Sequence, residues 1–135
     1  MDYHEVPSII LLLDHDDANT VVSGVLDFKG CKVYKSRMVD DCLSTLNRLE
    51  KEIDVVLVKK ELAIDKNFML VKNIRKISAG TMIMILADFT NKDDKLAENG
   101  VDGIVLTPMS AENLGDKILM LIAKKESKEI KEENG

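Results

Sequence analysis

The chain has no tryptophan, only two tyrosines and three phenylalanines among 135 residues, so it offers little for stacking nucleic-acid bases. It has no excess of positive charge. Its net charge of −5 argues against a partner held by counterion release from a phosphate backbone. It has no long apolar run: Ile9 to Leu13 is far shorter than the ~20 residues that span a bilayer. Asp2, His4 and Glu5 open the chain with no apolar stretch behind them, so no secretory signal is expected. Cysteine is scarce, and Cys31 and Cys42 have no CxxC spacing. They read as small buried apolar residues in a reducing compartment, not as a disulfide or metal pair. The glycines form no phosphate-cradling pattern. His15 stands between Asp14 and Asp16, but adjacent residues rarely aim at one ion, and His4 lies before the first strand. The expectation is a cytoplasmic protein with no metal, no cofactor, and neither nucleic acid nor membrane as partner.

What the chain does have is apolar residues at 45%, charged residues at 32%, and a regular rhythm. That profile suits a soluble globular domain with a real core. Ser8–Leu13 predicts a strand. Ala18, Val21, Val22, Val25 and Leu26 recur at helical spacing, with Asp16 or Asp17 as N-cap and Gly30 as the stop. Lys32–Lys35 predicts a second strand, and Val39, Cys42, Leu43, Leu46 and Leu49 a second helix. Asp54–Val58 predicts a third strand, and Phe68, Val71, Ile74 and Ile77 a third helix, with Gly80 beyond it. Met82–Leu86 predicts a fourth strand, followed by a short polar helix near Lys92–Asn99. Gly103–Leu106 predicts a fifth strand. Ser110 caps a last helix whose Leu114, Ile118, Leu121 and Ile122 face inward. The domain should cover residues 1–125, with 126–135 a charged tail or linker. No internal repeat interrupts the alternation.

Five βα units with strands this apolar imply an α/β fold: a doubly wound parallel sheet with helices on both faces. The common five-stranded order is 2-1-3-4-5, with its crevice where the first and third strands lie side by side. That order sets "LLLDHDD" beside "VVLVKKELA". Lys59 at the third strand's tip then faces the acids Asp14 and Asp16, while Lys60 is expected to be solvated.

In this order the motifs resemble those of response-regulator receiver domains, over about residues 8 to 124. "IILLLDHDD" is similar to the family's first strand ending in paired acids. "IDVVLVKKELAIDKNF" is similar to the third strand and phosphoacceptor loop. "MIMILADF" is similar to the strand ending in Ser or Thr, and "NGVDGIVLTPMS" to the segment carrying a Lys-Pro pair. The resemblance implies a flavodoxin-like, receiver-like fold. It also implies a site for phosphoryl transfer to an aspartate with Mg²⁺. Here that site is degenerate. Asp14 matches the first acid, and His15 falls on the second, which Asp16 could replace. Lys59 falls on the phosphoacceptor aspartate, Ala87 on the Ser/Thr, and Thr107 on the lysine before Pro108. Ile104 falls on the aromatic switch, Ala63 on the loop proline and Asn67 on the loop glycine.

An ammonium cannot accept a phosphoryl group, and its charge repels Mg²⁺. The expected function is therefore a non-phosphorylatable pseudo-receiver, a protein–protein interaction module in signal transduction and not an enzyme. Lys59 would be a resident cation for the acids. The resemblance puts the interaction face on the fourth helix, fifth strand and fifth helix. Lys92, Lys95, Ile104, Glu112, Lys117, Met120 and Lys124 would present it to a partner protein or a second copy. The alternative is a small haloacid-dehalogenase-type phosphatase with Asp14 as nucleophile and Asp16 as general acid. Against it stand Ala18, where that motif has Thr or Val, and the want of a Ser/Thr at the relevant strand end.

Overall fold

In the computed structural model, residues 6–13, 16–49, 52–88, 99–107 and 109–134 are described. The side chains of 16–19, 88, 107 and 126–134 are not among what is described. The strands are β1 (Ser8–Leu12), β2 (Lys32–Ser36), β3 (Val55–Lys59), β4 (Met82–Asp88) and β5 (Gly103–Thr107). The helices are α1 (Asp16–Phe28), α2 (Val39–Arg48), α3 (Lys60–Ile77) and α4 (Ala111–Asn134). The strands pair in parallel in the order β2-β1-β3-β4-β5. The short polar helix expected near residues 92–99 and the Thr107–Pro108 peptide fall outside, or partly outside, the described residues.

Alternation along the strands splits the core in two, because successive side chains point to opposite faces. Ile10, Leu12, Val56, Val58, Ile83 and Ile85 lie on one face, under Cys42 and Leu46 of α2 and Leu70, Val71 and Ile74 of α3. Ile9, Leu11, Val55, Leu57, Met82, Met84 and Val105 lie on the other, under Val22 and Leu26 of α1 and Leu114, Ile118 and Ile122 of α4. Both faces of β1 and β3 are thus covered, which is why these strands are continuously apolar. Each such side chain contributes about 1.5–3 kcal/mol by leaving water.

Three local features depart from the pattern read along the sequence. Val21 is 57% exposed and faces solvent, not the core; in α1 it is Val22 and Leu26 that turn inward. Phe68 belongs to the core, but its backbone is not helical. Lys66, Asn67 and Phe68 take left-handed φ values of 52°, 58° and 62°, breaking α3 after its first turns. Asn tolerates that region, whereas Lys and Phe each strain it by roughly 1–2 kcal/mol. Burial of the Phe68 ring offsets the strain. The last helix, finally, continues past Lys124 to Asn134. Helix α1 stops as expected: Gly30, at φ 90°, lets Gly30 N–H reach Asp27 O and Cys31 N–H reach Leu26 O, a Schellman closure.

Candidate functional site at the carboxyl edge of the sheet

The crevice of a doubly wound sheet opens beyond the carboxyl ends of its strands, where the order reverses. Here that point lies between β1 and β3, whose register pairs Leu11 with Leu57 and Leu12 with Val58. The segment after Leu12 and the segment after Val58 therefore leave the sheet side by side. Lys59 is the last residue of β3, paired with Leu86 of β4. Ala87 follows in β4, paired with Leu106, and Asp88 pairs with Thr107. Lys59, Ala87 and Thr107 thus line one end of three strands. Asp14 and His15 lie outside the described residues, and Asp16 is the first residue of α1.

The burial of the two lysines reverses the expectation. Lys60, expected in solvent, is only 4% exposed, and Lys59 is half-buried. The strand passes into α3 without a loop, and this abrupt turn brings Lys60 under cover. Lys59 is the N-cap of α3 and makes no side-chain capping bond; Glu61 puts an acid in the first turn. A helix N-terminus carries positive partial charge and favours anions. Lysines at the N-cap and the first helical position run against that preference. Ala87 is 5% exposed, a small apolar residue with no hydroxyl to offer an oxyanion.

Among the proposed interaction residues, Ile104 is half-buried against the core, and its carbonyl accepts a hydrogen bond from Lys117 Nζ at 2.9 Å. Glu112, Lys117 and Lys124 are exposed, and Met120 is 61% exposed. Lys92 and Lys95 lie outside the described residues. Ser110 Oγ accepts from Asn113 N at 3.1 Å, the cap expected at the start of α4.

The opposite edge holds a cluster that sequence reasoning missed. Arg75 Nη1 donates to Ala79 O at 3.1 Å and Thr81 O at 2.7 Å. Its Nη2 donates to Gly100 O and to Asp102 Oδ2, both at 2.6 Å. Asp102 Oδ2 also accepts from Ile83 N at 2.7 Å. Asp54 Oδ2 accepts from Ser8 N at 2.8 Å. The only advance signal was a pair of aspartates, Asp54 and Asp102, each standing just ahead of an apolar strand.

No protein-family model matches the sequence, and no curated protein does at a significant level. Solved structures do match, and they define the fold class: this chain has the fold of response-regulator receiver domains. A response regulator from Thermotoga maritima superposes with a TM-score of 0.73 at 20% identity, over 87% of this chain and 98% of its own. HP1043, an orphan response regulator of H. pylori, gives 0.72 at 16% identity, over 86% and 96%. NtrX from Brucella abortus gives 0.78 at 17% identity, over 94% of this chain but 29% of its own. Among the described residues no helix is long and apolar enough to cross a membrane, and no three His, Cys, Asp or Glu residues group as a metal site.

Proposed function

We propose that this domain is a pseudo-receiver: a protein–protein interaction module of signal transduction that does not accept a phosphoryl group. The observation that carries the reading is Lys59 at the carboxyl tip of β3, the place where the receiver fold puts its acceptor aspartate. Phosphoryl transfer there needs a carboxylate nucleophile, hard oxygen ligands for Mg²⁺ and donors for the phosphoryl oxygens. Lys59 supplies none of the first two, and Ala87 offers no hydroxyl. The register of β1 with β3 supports a further part of the reading: Lys59 stands in for the metal as counterion to Asp14 and Asp16. With no phosphate to gate it, the surface of residues 92–125 is constitutive. Glu112, Lys117, Met120 and Lys124 present it to a protein partner, with Lys92 and Lys95 alongside.

Amide NMR in Mg²⁺ with acetyl phosphate, or with beryllofluoride as phosphoryl mimic, tests the inert site. No saturable, site-specific shifts should arise near residues 14–16, 59 and 87; saturating shifts there refute the reading. Charge reversal at Lys95, Lys117 and Lys124 should abolish partner capture with little change in melting temperature. Undiminished capture by the triple variant would remove this face from the proposal.

A further inference from the structure

Helix α1 carries an apolar stripe that the fold does not use. Val21 is 57% exposed and Phe28 92% exposed. Phe28 is the one aromatic ring among the described exposed large hydrophobic residues. Gly24 lies between them on the same face, because residues three and four apart are neighbours on a helix. A glycine inside a helix lowers its stability relative to alanine, so its presence calls for a reason. The fold supplies none: a Cβ added at Gly24 would meet nothing within 4 Å. The contrast with Gly115 of α4 is direct. A Cβ there would come within 3.0 Å of Lys29 Cε and 3.3 Å of Val25 Cγ1, so that glycine serves the contact between α1 and α4. The same contact is pinned by Lys29 Nζ on Asp116 Oδ1 at 2.7 Å. Beside it runs a groove of about 420 Å³, lined by Thr20, Val21, Gly24, Val25, Phe28 and Lys29 of α1, with Glu112 at its rim.

We infer that the groove is filled by a second copy of this chain, through an antiparallel α1–α1 contact about a two-fold axis. The argument is self-complementarity, which an isologous interface requires. Let two α1 helices cross with the axis between Gly24 and Val25. Reversal then sets Val21 against Phe28 of the other copy, Gly24 against Val25, and Thr20 against Lys29. Apolar meets apolar, the missing side chain meets the branched one, and polar meets polar at both ends. The spacing agrees as well, since Val21 and Phe28 lie equally far from that axis, about 5 Å along a helix rising 1.5 Å per residue. The Gly24 backbone permits close approach, and each Phe28 ring enters the other copy's groove, burying the largest exposed side chain on the helix. One helix pair reaches only the low end of specific interfaces, about 1,200 Å² or less. The contact is therefore reversible, with a dissociation constant between roughly micromolar and millimolar. Apart from Glu112 at the rim of the groove, it uses different residues from those assigned to the protein partner, so the two are tested by separate substitutions.

Sedimentation velocity on the whole chain, from about 10 micromolar to about 1 millimolar, tests it. The sedimentation coefficient should climb from monomer toward dimer across that range. Gly24→Leu and Phe28→Glu should each hold the chain monomeric throughout, at least tenfold weaker in association. Melting should show that both variants are folded, since neither position touches the core. Lys124→Glu, on the other surface, should dimerise as the parent does. A parent that stays monomeric to the highest concentration overturns the inference, as does a dimer that survives both α1 substitutions.

Discussion

At the amino-terminal edge of the sheet the polar side chains are tied to backbone groups. Arg75 alone donates to three carbonyls and to Asp102. Asp54 and Asp102 cap the amides of Ser8 and Ile83, and Thr81 Oγ1 donates to Ile53 O at 2.9 Å. At the carboxyl edge the same strands end in Lys59, Ala87 and Thr107, followed at β3 by a buried Lys60 and a left-handed run of non-glycine residues. One edge is arranged for rigidity. The other sets two lysines, an alanine and a threonine at the strand tips beside the crevice of the doubly wound sheet. The contrast teaches that backbone register fixes where the crevice lies, while the side chains at each edge decide what that edge does.

The largest effect should come from breaking the rigid edge. Arg75→Met leaves three carbonyls and Asp102 without their donor. It should lower unfolding free energy by about 2–4 kcal/mol, read by urea denaturation. A loss no larger than that of an exposed lysine would remove Arg75 as the clamp of this edge. At the other edge Lys59→Met should cost about 1–2 kcal/mol if Lys59 offsets neighbouring acids, and nothing measurable if it serves only as a solvated surface charge.

Relieving strain should act in the opposite direction. Lys66 has a φ of 52°, which glycine adopts without penalty. Lys66→Gly should raise stability by about 0.5–1 kcal/mol, whereas the same exchange inside an ordinary helix lowers it. A decrease would show that the left-handed turn is not strained.

The thiols give a chemical readout of the core. Burial pushes the Cys42 thiol up to about 12. Burial, aided by the charge of Asp54, also raises Cys31 above its ordinary value. The thiolate is the nucleophile, so neither cysteine should alkylate in the native protein at neutral pH, and both should react on unfolding. These raised values also have a linkage consequence. The folded state keeps protons that the unfolded state releases above about pH 9. Stability should therefore fall as pH rises from there toward 12. Fast alkylation of the folded chain would contradict the burial of Cys42.

The smallest expected change concerns Lys29. Its hydrogen bond to Asp116 raises the ammonium above its ordinary value. This contribution is fully present below the unfolded value of 10.5 and is lost as pH rises through the higher folded one. Lys29→Met should remove that alkaline component with only a slight change at neutral pH, since the pair is exposed. An alkaline melting profile identical to the parent's would show the pair to be silent.

Much of this was legible in the residues alone. Strand and helix alternate because apolar residues recur with two different periods, and buried parallel strands must be apolar on both faces. From these followed the sheet order and the pairing of the two strands that lead into the DHDD and LVKK segments. Lys59 stood out at the end of its apolar run, whereas Ala87 and Thr107 were singled out by the resemblance to receiver motifs. Tertiary structure decided what counting cannot reach. Lys60 rather than Lys59 is the more buried lysine because the strand turns directly into α3, and a one-residue difference in direction is invisible to periodicity. Val21 and Val22 are chemically alike; only the packing of α1 against the sheet and α4 sends one inward and leaves the other outside. Arg75 gathers carbonyls from residues 79 and 81, just beyond its own helix, and from residue 100, which comes within reach only when the segment ahead of β5 closes on the same edge of the sheet. Local pattern expresses backbone periodicity, whereas the partner of a long polar side chain depends on which distant segment the folded chain brings within reach.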